Sequence, residues 1–341
     1  MNKILKKLFR PAGLLVLTSL MAGCTLHEEP ELTADGEVGV DPTSVLLTAN
    51  LNVNINMGER PLTRAEAEKD GYLHRFIVEA YLNRQPVARQ TVVEEVSDRT
   101  HLSLPVNMKL HARNYQLVVW SDYVKADAPT EDFIYDTEEL VPLIPVSSTH
   151  CGNTEYKDAF AASVPLDLTA YSNQWNAEVS VEVELARPVA RYELVANDVA
   201  SFLRKVAAGE ITGDKFTARI KYNDYLPVGY NVLDDVPKHS LRYMQYSKTF
   251  SLPEAGTREL SLGFDYVFVQ TGEKTTYIPV EIEVVDSKNK TVAGSVVRIP
   301  CVRSKNSVVK GAFLTVSSDD GVGFEPDFDG EVDLDVEIKP L

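Results

Sequence analysis

Val45-Leu46-Leu47-Thr48-Ala49-Asn50-Leu51-Asn52-Val53-Asn54-Ile55-Asn56 decides how the rest of the chain is read. Val45, Leu47, Ala49, Leu51, Val53 and Ile55 fall on one parity, and Asn50, Asn52, Asn54 and Asn56 on the other. Successive side chains of a strand point to opposite faces, so this period of two predicts a strand with one face buried and one wet. The pattern returns where Ala177, Val179, Val181, Val183 and Leu185 alternate with Glu178, Ser180, Glu182 and Glu184. It returns again where Val332, Leu334, Val336 and Ile338 alternate with Glu331, Asp333, Asp335 and Glu337. Strands covered on both sides read as unbroken apolar runs, so clean alternation points to antiparallel sheets with a solvated face.

Further strands are predicted near 73–82, 87–96, 101–106, 114–121, 188–195, 216–222, 258–269, 276–285, 292–300 and 308–316. Helical spacing is sparse. Val199, Phe202, Leu203 and Val206 follow an i, i+3, i+4, i+7 rhythm, with Asn197 or Asp198 placed to cap and Gly209 to stop. Thr63-Arg64-Ala65-Glu66 fits a capping box that opens a turn or two of helix closed by Gly71. Neither helix recurs between strands, which argues against a doubly wound α/β sheet. The expected fold is all-β, two tandem antiparallel β-sandwiches with one short helix, dividing into 45–186 and 187–341.

Ahead of them lies a different kind of sequence. Lys3, Lys6, Lys7 and Arg10 precede an apolar run from Ala12 to Met21, which ends at Leu20-Met21-Ala22-Gly23-Cys24. The run is too short to span a bilayer core of roughly 30 Å, so 1–23 reads as a cleavable signal peptide. Its ending resembles the lipobox of bacterial lipoproteins, which implies that Cys24 is acylated and becomes the first residue. Thr25, where many inner-membrane lipoproteins carry aspartate, implies sorting to the outer membrane, and His27-Glu28-Glu29 is similar to acidic tags that precede surface display. Residues 24–44 read as an acidic tether.

Composition narrows the function. The chain has 341 residues, 34 Lys plus Arg against 50 Asp plus Glu, and a net charge of −16. Loss of the four cations in the signal peptide makes the mature protein more acidic still. Such a balance repels phosphate backbones, so no nucleic-acid partner is expected. The six histidines stand singly, at 27, 74, 101, 111, 150 and 239, with no HExxH, and no GxSxG elbow, Walker loop or GxGxxG occurs. His150-Cys151-Gly152 sets an imidazole beside a thiol, but neighbours on an extended chain point apart, and a loop cysteine is the simpler reading. Cys151 and Cys301 could instead form a disulfide, although they lie in different expected domains. Asp319-Asp320 through Glu325, Asp327, Asp329 and Glu331 departs from calcium-loop spacing and reads as a solvated acidic turn. Trp120 and Trp175 could stack on a sugar, with core or interface packing preferred. Neither metal nor other cofactor is implied.

Several short stretches together resemble the fimbrillin-like surface lipoproteins of Bacteroidota. They are the lipobox, Thr63-Arg64-Ala65 after the first alternating strand, Tyr115-Gln116-Leu117-Val118-Val119-Trp120-Ser121-Asp122-Tyr123, Arg187-Pro188-Val189-Ala190-Arg191-Tyr192-Glu193, and Gly323-Phe324-Glu325-Pro326 with Phe328-Asp329-Gly330 before the last strand. The resemblance implies transthyretin-like sandwiches, no catalysis, and a part as pilus stalk, tip or anchor, with other fimbrial subunits or host and bacterial surface ligands as partners. Stalk subunits of that family are trimmed after an arginine and assemble by strand donation; Arg60 and Arg64 are the positions that could match the trimming site. A monomeric surface lipoprotein that binds glycan or protein is the alternative. An envelope hydrolase comes third and would need clustered carboxylates in a deep pocket. Because no other segment offers an anchor, Cys24→Ser is expected to move the protein out of the outer-membrane fraction, as fractionation would measure; continued membrane partitioning would contradict the assignment.

Overall fold

The computed structural model describes residues 46–56, 71–96, 101–141, 144–145, 152–172, 174, 176–272, 274–316 and 335–340. The first nine strands are β1 (Leu46–Asn56), β2 (Tyr72–Leu82), β3 (Gln85–Glu95), β4 (His101–His111), β5 (Asn114–Lys125), β6 (Tyr135–Asp136), β7 (Ile144–Pro145), β8 (Phe160–Asp167) and β9 (Asn176–Glu184). They form sheets of order β4-β1-β9 and β3-β2-β5-β8, with β6 and β7 as a short ladder. Next come β10 (Val189–Ala196), the helix α1 (Val199–Ala207), β11 (Lys215–Tyr222), β12 (Leu226–Pro227), β13 (Tyr230–Asn231), β14 (Val236–Pro237) and β15 (Ser240–Leu241). The series closes with β16 (Met244–Ser251), β17 (Leu260–Phe268), β18 (Thr276–Asp286), β19 (Thr291–Cys301), β20 (Lys305–Gly311) and β21 (Asp335–Pro340). These make sheets β17-β10-β20-β21 and β16-β11-β18-β19, with β12-β15 and β13-β14 as two-stranded ladders. The fold is all-β with antiparallel pairing dominant. Among the described residues two pairs depart from it: β1 runs parallel to β9 and β10 parallel to β20.

Each pair of sheets encloses its own core. Between the first two lie Leu51, Val53, Ile55, Phe76, Leu117 and Val119; between the second two lie Tyr192, Leu194, Phe216, Ile220, Val280 and Ile299. The β5 run Leu117-Val118-Val119-Trp120 is apolar without a break because both its faces are covered. Leu117 and Val119 point into the first core, while Val118 and Trp120 join a third cluster with Ile77, Tyr135, Val189, Tyr230 and Phe268. That cluster fuses the outer face of β2 and β5 to the outer face of β10 and β17. Trp120, wholly buried, meets Tyr135 edge-on at 5.3 Å, and Tyr230 stacks on Phe268 at 5.2 Å. Interface packing, and not an exposed sugar platform, is thus the place of Trp120; Trp175 lies outside the described residues.

Polar contacts ring this apolar seam. Arg187 Nε donates to Asp158 Oδ1 at 2.7 Å with both side chains buried, and Arg303 pairs with Asp235 at 2.8 Å. The 3-10 turn Glu155–Lys157 reaches from the first sandwich into the second, where the buried Lys157 Nζ sits 2.5 Å from Asp265 Oδ1. Helix α1 buries Val199 and Phe202. The Asp198 side chain does not cap that helix; it accepts from Leu314 N–H (3.1 Å) and Thr315 Oγ–H (2.7 Å), which pins the chain after β20. Cys301 is a free, fully buried thiol whose pKa is pushed up by burial and then by Asp265 nearby.

His74 lies inside the first sandwich, 2.6 Å through Nε2 from Ser121 Oγ and stacked on Tyr123. Burial lowers its pKa from 6.5 to about 3. The unfolded chain therefore takes up a proton near pH 6.5 that the folded chain refuses. Stability from this residue is intact above 6.5 and is lost as pH falls toward 3, at about 1.4 kcal/mol per unit. Urea titrations at pH 7 and pH 5 should differ by about 2 kcal/mol more in the wild type than in His74→Gln; equal acid sensitivity would show that His74 is not the source.

Candidate functional site

Cys24, Arg60, Arg64, Cys151, the Thr63–Glu66 capping box and the acidic run from Asp319 to Glu331 all lie outside the described residues. Among the described residues, no three His, Cys, Asp or Glu side chains gather as a metal site would need. A cleft of about 580 Å³ between the β2–β3 turn, β5, β8 and Leu233 has one carboxylate in its lining, Asp167, already engaged by Thr169 N–H at 2.9 Å and Thr169 Oγ at 2.6 Å. What the structure brings forward instead is the state of two strands and one exposed surface.

β1 is the middle strand of its sheet. Along its length it pairs antiparallel with β4, from Leu46↔His111 to Asn56↔His101, and parallel with β9, from Thr48↔Asn176 to Asn56↔Glu184. Ala49, Leu51, Val53 and Ile55 are at most 2 % exposed. On the wet face the asparagines form a ladder: Asn107 Nδ2 donates to Asn50 Oδ1 (2.6 Å), Ser103 Oγ lies 2.6 Å from Asn52 Oδ1, and Asn54 Nδ2 donates to Glu182 Oε1 (2.7 Å). Both faces are thereby specified, which fixes register against a one-residue slip.

β21 is the opposite case. It occupies the edge of its sheet, paired with β20 from Lys305↔Pro340 to Lys310↔Asp335. Val336 is 36 % exposed and Ile338 45 % exposed, so the apolar parity of this strand enters no core. Main-chain hydrogen bonds hold it, each with a net contribution of about 1 kcal/mol, and such elements open first.

The remaining large exposed apolar side chains among the described residues concentrate in the excursion between β11 and β16. Tyr225, Val236, Leu241 and Tyr243 belong to it, and Tyr277 at the start of β18 adds another. Arg242 lies over both Tyr225 (5.1 Å) and Tyr243 (4.9 Å), leaving those rings 64 % and 72 % exposed. Tyr243 has φ +59, a left-handed conformation that costs about 1 kcal/mol or more for a residue with a Cβ. The excursion is braced from behind, where Tyr230 is buried and Arg303 joins Asp235. Sequence reasoning missed this surface because the segment has no period; its signal was tyrosine and arginine crowded among turn residues.

Residues 42–339 match the model of a family of unknown function, DUF6562, and the chain belongs to that family. No curated protein matches it. Among solved structures it is similar to a candidate cell adhesion protein of Parabacteroides distasonis, at 10% identity over 85% of this chain and 96% of that one, with a TM-score of 0.47. It is also similar to one of Bacteroides eggerthii, at 10% identity over 87% and 97%, with a TM-score of 0.45. The fimbrial anchor protein Mfa2 from Porphyromonas gingivalis matches at 10% identity over 77% and 91%, with a TM-score of 0.41.

The contrast between β1 and β21 is measurable. Leu51→Ala is expected to cost about 2–5 kcal/mol, whereas the double change Val336→Ser and Ile338→Ser should move folding stability by no more than about 0.5 kcal/mol. Denaturant titration would compare them, and a large loss in the β21 variant would mean that its side chains are anchored after all.

Proposed function

We propose that this member of the DUF6562 family is a surface-exposed structural or adhesive subunit of the fimbrillin kind, lipid-anchored at the cell outer membrane through Cys24. On this reading residues 24–44 are the tether and 45–186 and 187–341 the two sandwiches. The observation that carries it is β21, a terminal edge strand whose Val336 and Ile338 find no core in their own subunit. An exposed edge strand of alternating apolar residues is what β-augmentation uses, with main-chain bonds for affinity and side-chain pockets for register. The complementary groove would be the place of β1. Cleavage at Arg60 or Arg64 would free that strand, and with it the Cys24 anchor, so that the trimmed subunit is released for assembly with unpaired amides and carbonyls along β4 and β9. A second copy's terminal segment, bringing Val336 and Ile338 into the vacated apolar positions, would close it.

A second reading keeps the anchor and makes the chain a monomeric surface lipoprotein that binds glycan or protein. The braced Tyr225–Arg242–Tyr243 cluster favours it, since exposed tyrosine and arginine dominate recognition surfaces. One experiment divides the two. Treatment of the purified protein with an arginine-specific protease, followed by size analysis, is expected to give cleavage at Arg60 or Arg64 and then higher oligomers, lost on deletion of 331–341. A cleaved product that stays monomeric, or a resistant segment, would overturn strand exchange and leave the monomeric reading standing.

A further inference from the structure

Three ion pairs among the described residues have both side chains at least nine-tenths buried: Arg75–Asp122, Arg187–Asp158 and Lys157–Asp265. The two arginine pairs suit their task, because a guanidinium stays charged and grips a carboxylate with two donors. Lysine is the poorer choice for a pure ion pair in such a place. It is the better choice for chemistry, since it can give up its proton and attack.

We propose that Lys157 Nζ and Asp265 Cγ condense into an intramolecular amide that covalently joins the two sandwiches. The geometry is that of reactants already collected. Nζ stands 2.5 Å from Asp265 Oδ1, which also accepts from Tyr266 N–H at 2.8 Å, while Oδ2 accepts from Tyr222 O–H at 2.7 Å. A nitrogen so close to one carboxyl oxygen has the carboxyl carbon as its next neighbour, so attack needs only a small swing out of the carboxylate plane toward that carbon. Donors on both oxygens stabilise the negative charge that forms there when the carbon becomes tetrahedral. Beyond Tyr222 the hydroxyls of Tyr192 and Tyr246 continue the chain, Tyr222 to Tyr192 and Tyr192 to Tyr246 at 3.1 Å.

The step balances without an outside reagent. A proton passes from the ammonium to the carboxylate, leaving a neutral amine and a neutral acid. The nitrogen lone pair bonds to Cγ. The Cγ–Oδ2 bond breaks, and Oδ2 departs as water: Tyr222 O–H gives it one proton, a second comes by way of the carboxyl group itself, and the Tyr222 hydroxyl is restored by the proton the nitrogen sheds, so that two of the three ammonium protons are spent in all. One proton stays on the amide nitrogen, and Oδ1 remains as the amide oxygen on Tyr266 N–H. The tie would bridge 108 residues of sequence, from the turn before β8 to β17.

Tryptic digestion of the denatured full chain and peptide mass spectrometry test it. Wild-type protein is expected to resist cleavage after Lys157 and to yield one branched peptide that contains Lys157 and Asp265 and is lighter by one water than the two separate peptides. Lys157→Arg, which keeps the charge but cannot form this amide, should give both as ordinary linear peptides. Two linear peptides from the folded wild type would overturn the proposal, as would a missing water located anywhere else; neither outcome depends on the variant folding.

Discussion

Everything else in this molecule hangs on the decision to bury the outer face of β2 and β5. An isolated sandwich could leave that face wet, and the alternation elsewhere shows the chain knows how to do so. Here Ile77, Val118 and Trp120 fill it instead, and what covers them is another sheet's outer face carrying Val189, Tyr266 and Phe268, with Tyr135 and Tyr230 from the connecting segments. Apolar burial has no direction of its own. Orientation comes from the ring of pairs around it, of which Arg187–Asp158 and Lys157–Asp265 are the deepest. Domain interfaces within one chain are commonly polar and permit relative motion. A buried aromatic seam with buried ion pairs at its rim favours one fixed arrangement.

Much of the fold was legible because half-buried strands advertise themselves. β1, β9, β11 and β18 alternate in sequence and alternate in the structure, with Ala49, Leu51, Val53 and Ile55, and Phe216, Ala218, Ile220 and Tyr222, facing inward. The helix at Val199–Ala207 came from its rhythm. The two-residue strands β6, β7 and β12 to β15 escaped, and so did two full-length ones. β8, Phe160-Ala161-Ala162-Ser163-Val164-Pro165-Leu166-Asp167, carries small residues and a proline that are tolerated because it lies at a sheet edge. β16 mixes Met244, Tyr246 and Phe250 with Lys248, whose amine turns aside to Ser261 O. Parallel pairing was also hidden. Alternation reports which faces are wet, and it carries no information on the direction of the neighbouring strand.

The surfaces with most to say about function were the least legible. Exposure of Tyr225, Tyr243, Val336 and Ile338 depends on what fails to pack against them, and a single sequence cannot show an absent neighbour. The terminal strand in particular reads as an ordinary half-buried strand, because alternation is the same whether the partner is the same chain or another one. In the folded chain its Val336 and Ile338 remain unspent on any core.

The place of β1 sets the order in which the protein can be made. Its backbone is completed on one side by β4 and on the other by β9, and Asn54 finds Glu182 across 128 residues of chain. Pairing over such separations is slow, because the loop must be closed before the contact rewards it. A chain delivered amino terminus first therefore presents its most sharply patterned strand at the outset and finishes it near the end of the first sandwich. Between those moments an apolar edge stands open to any neighbour, so crowding while the chain folds, more than the equilibrium stability of the finished fold, is where this architecture is most exposed to mispairing.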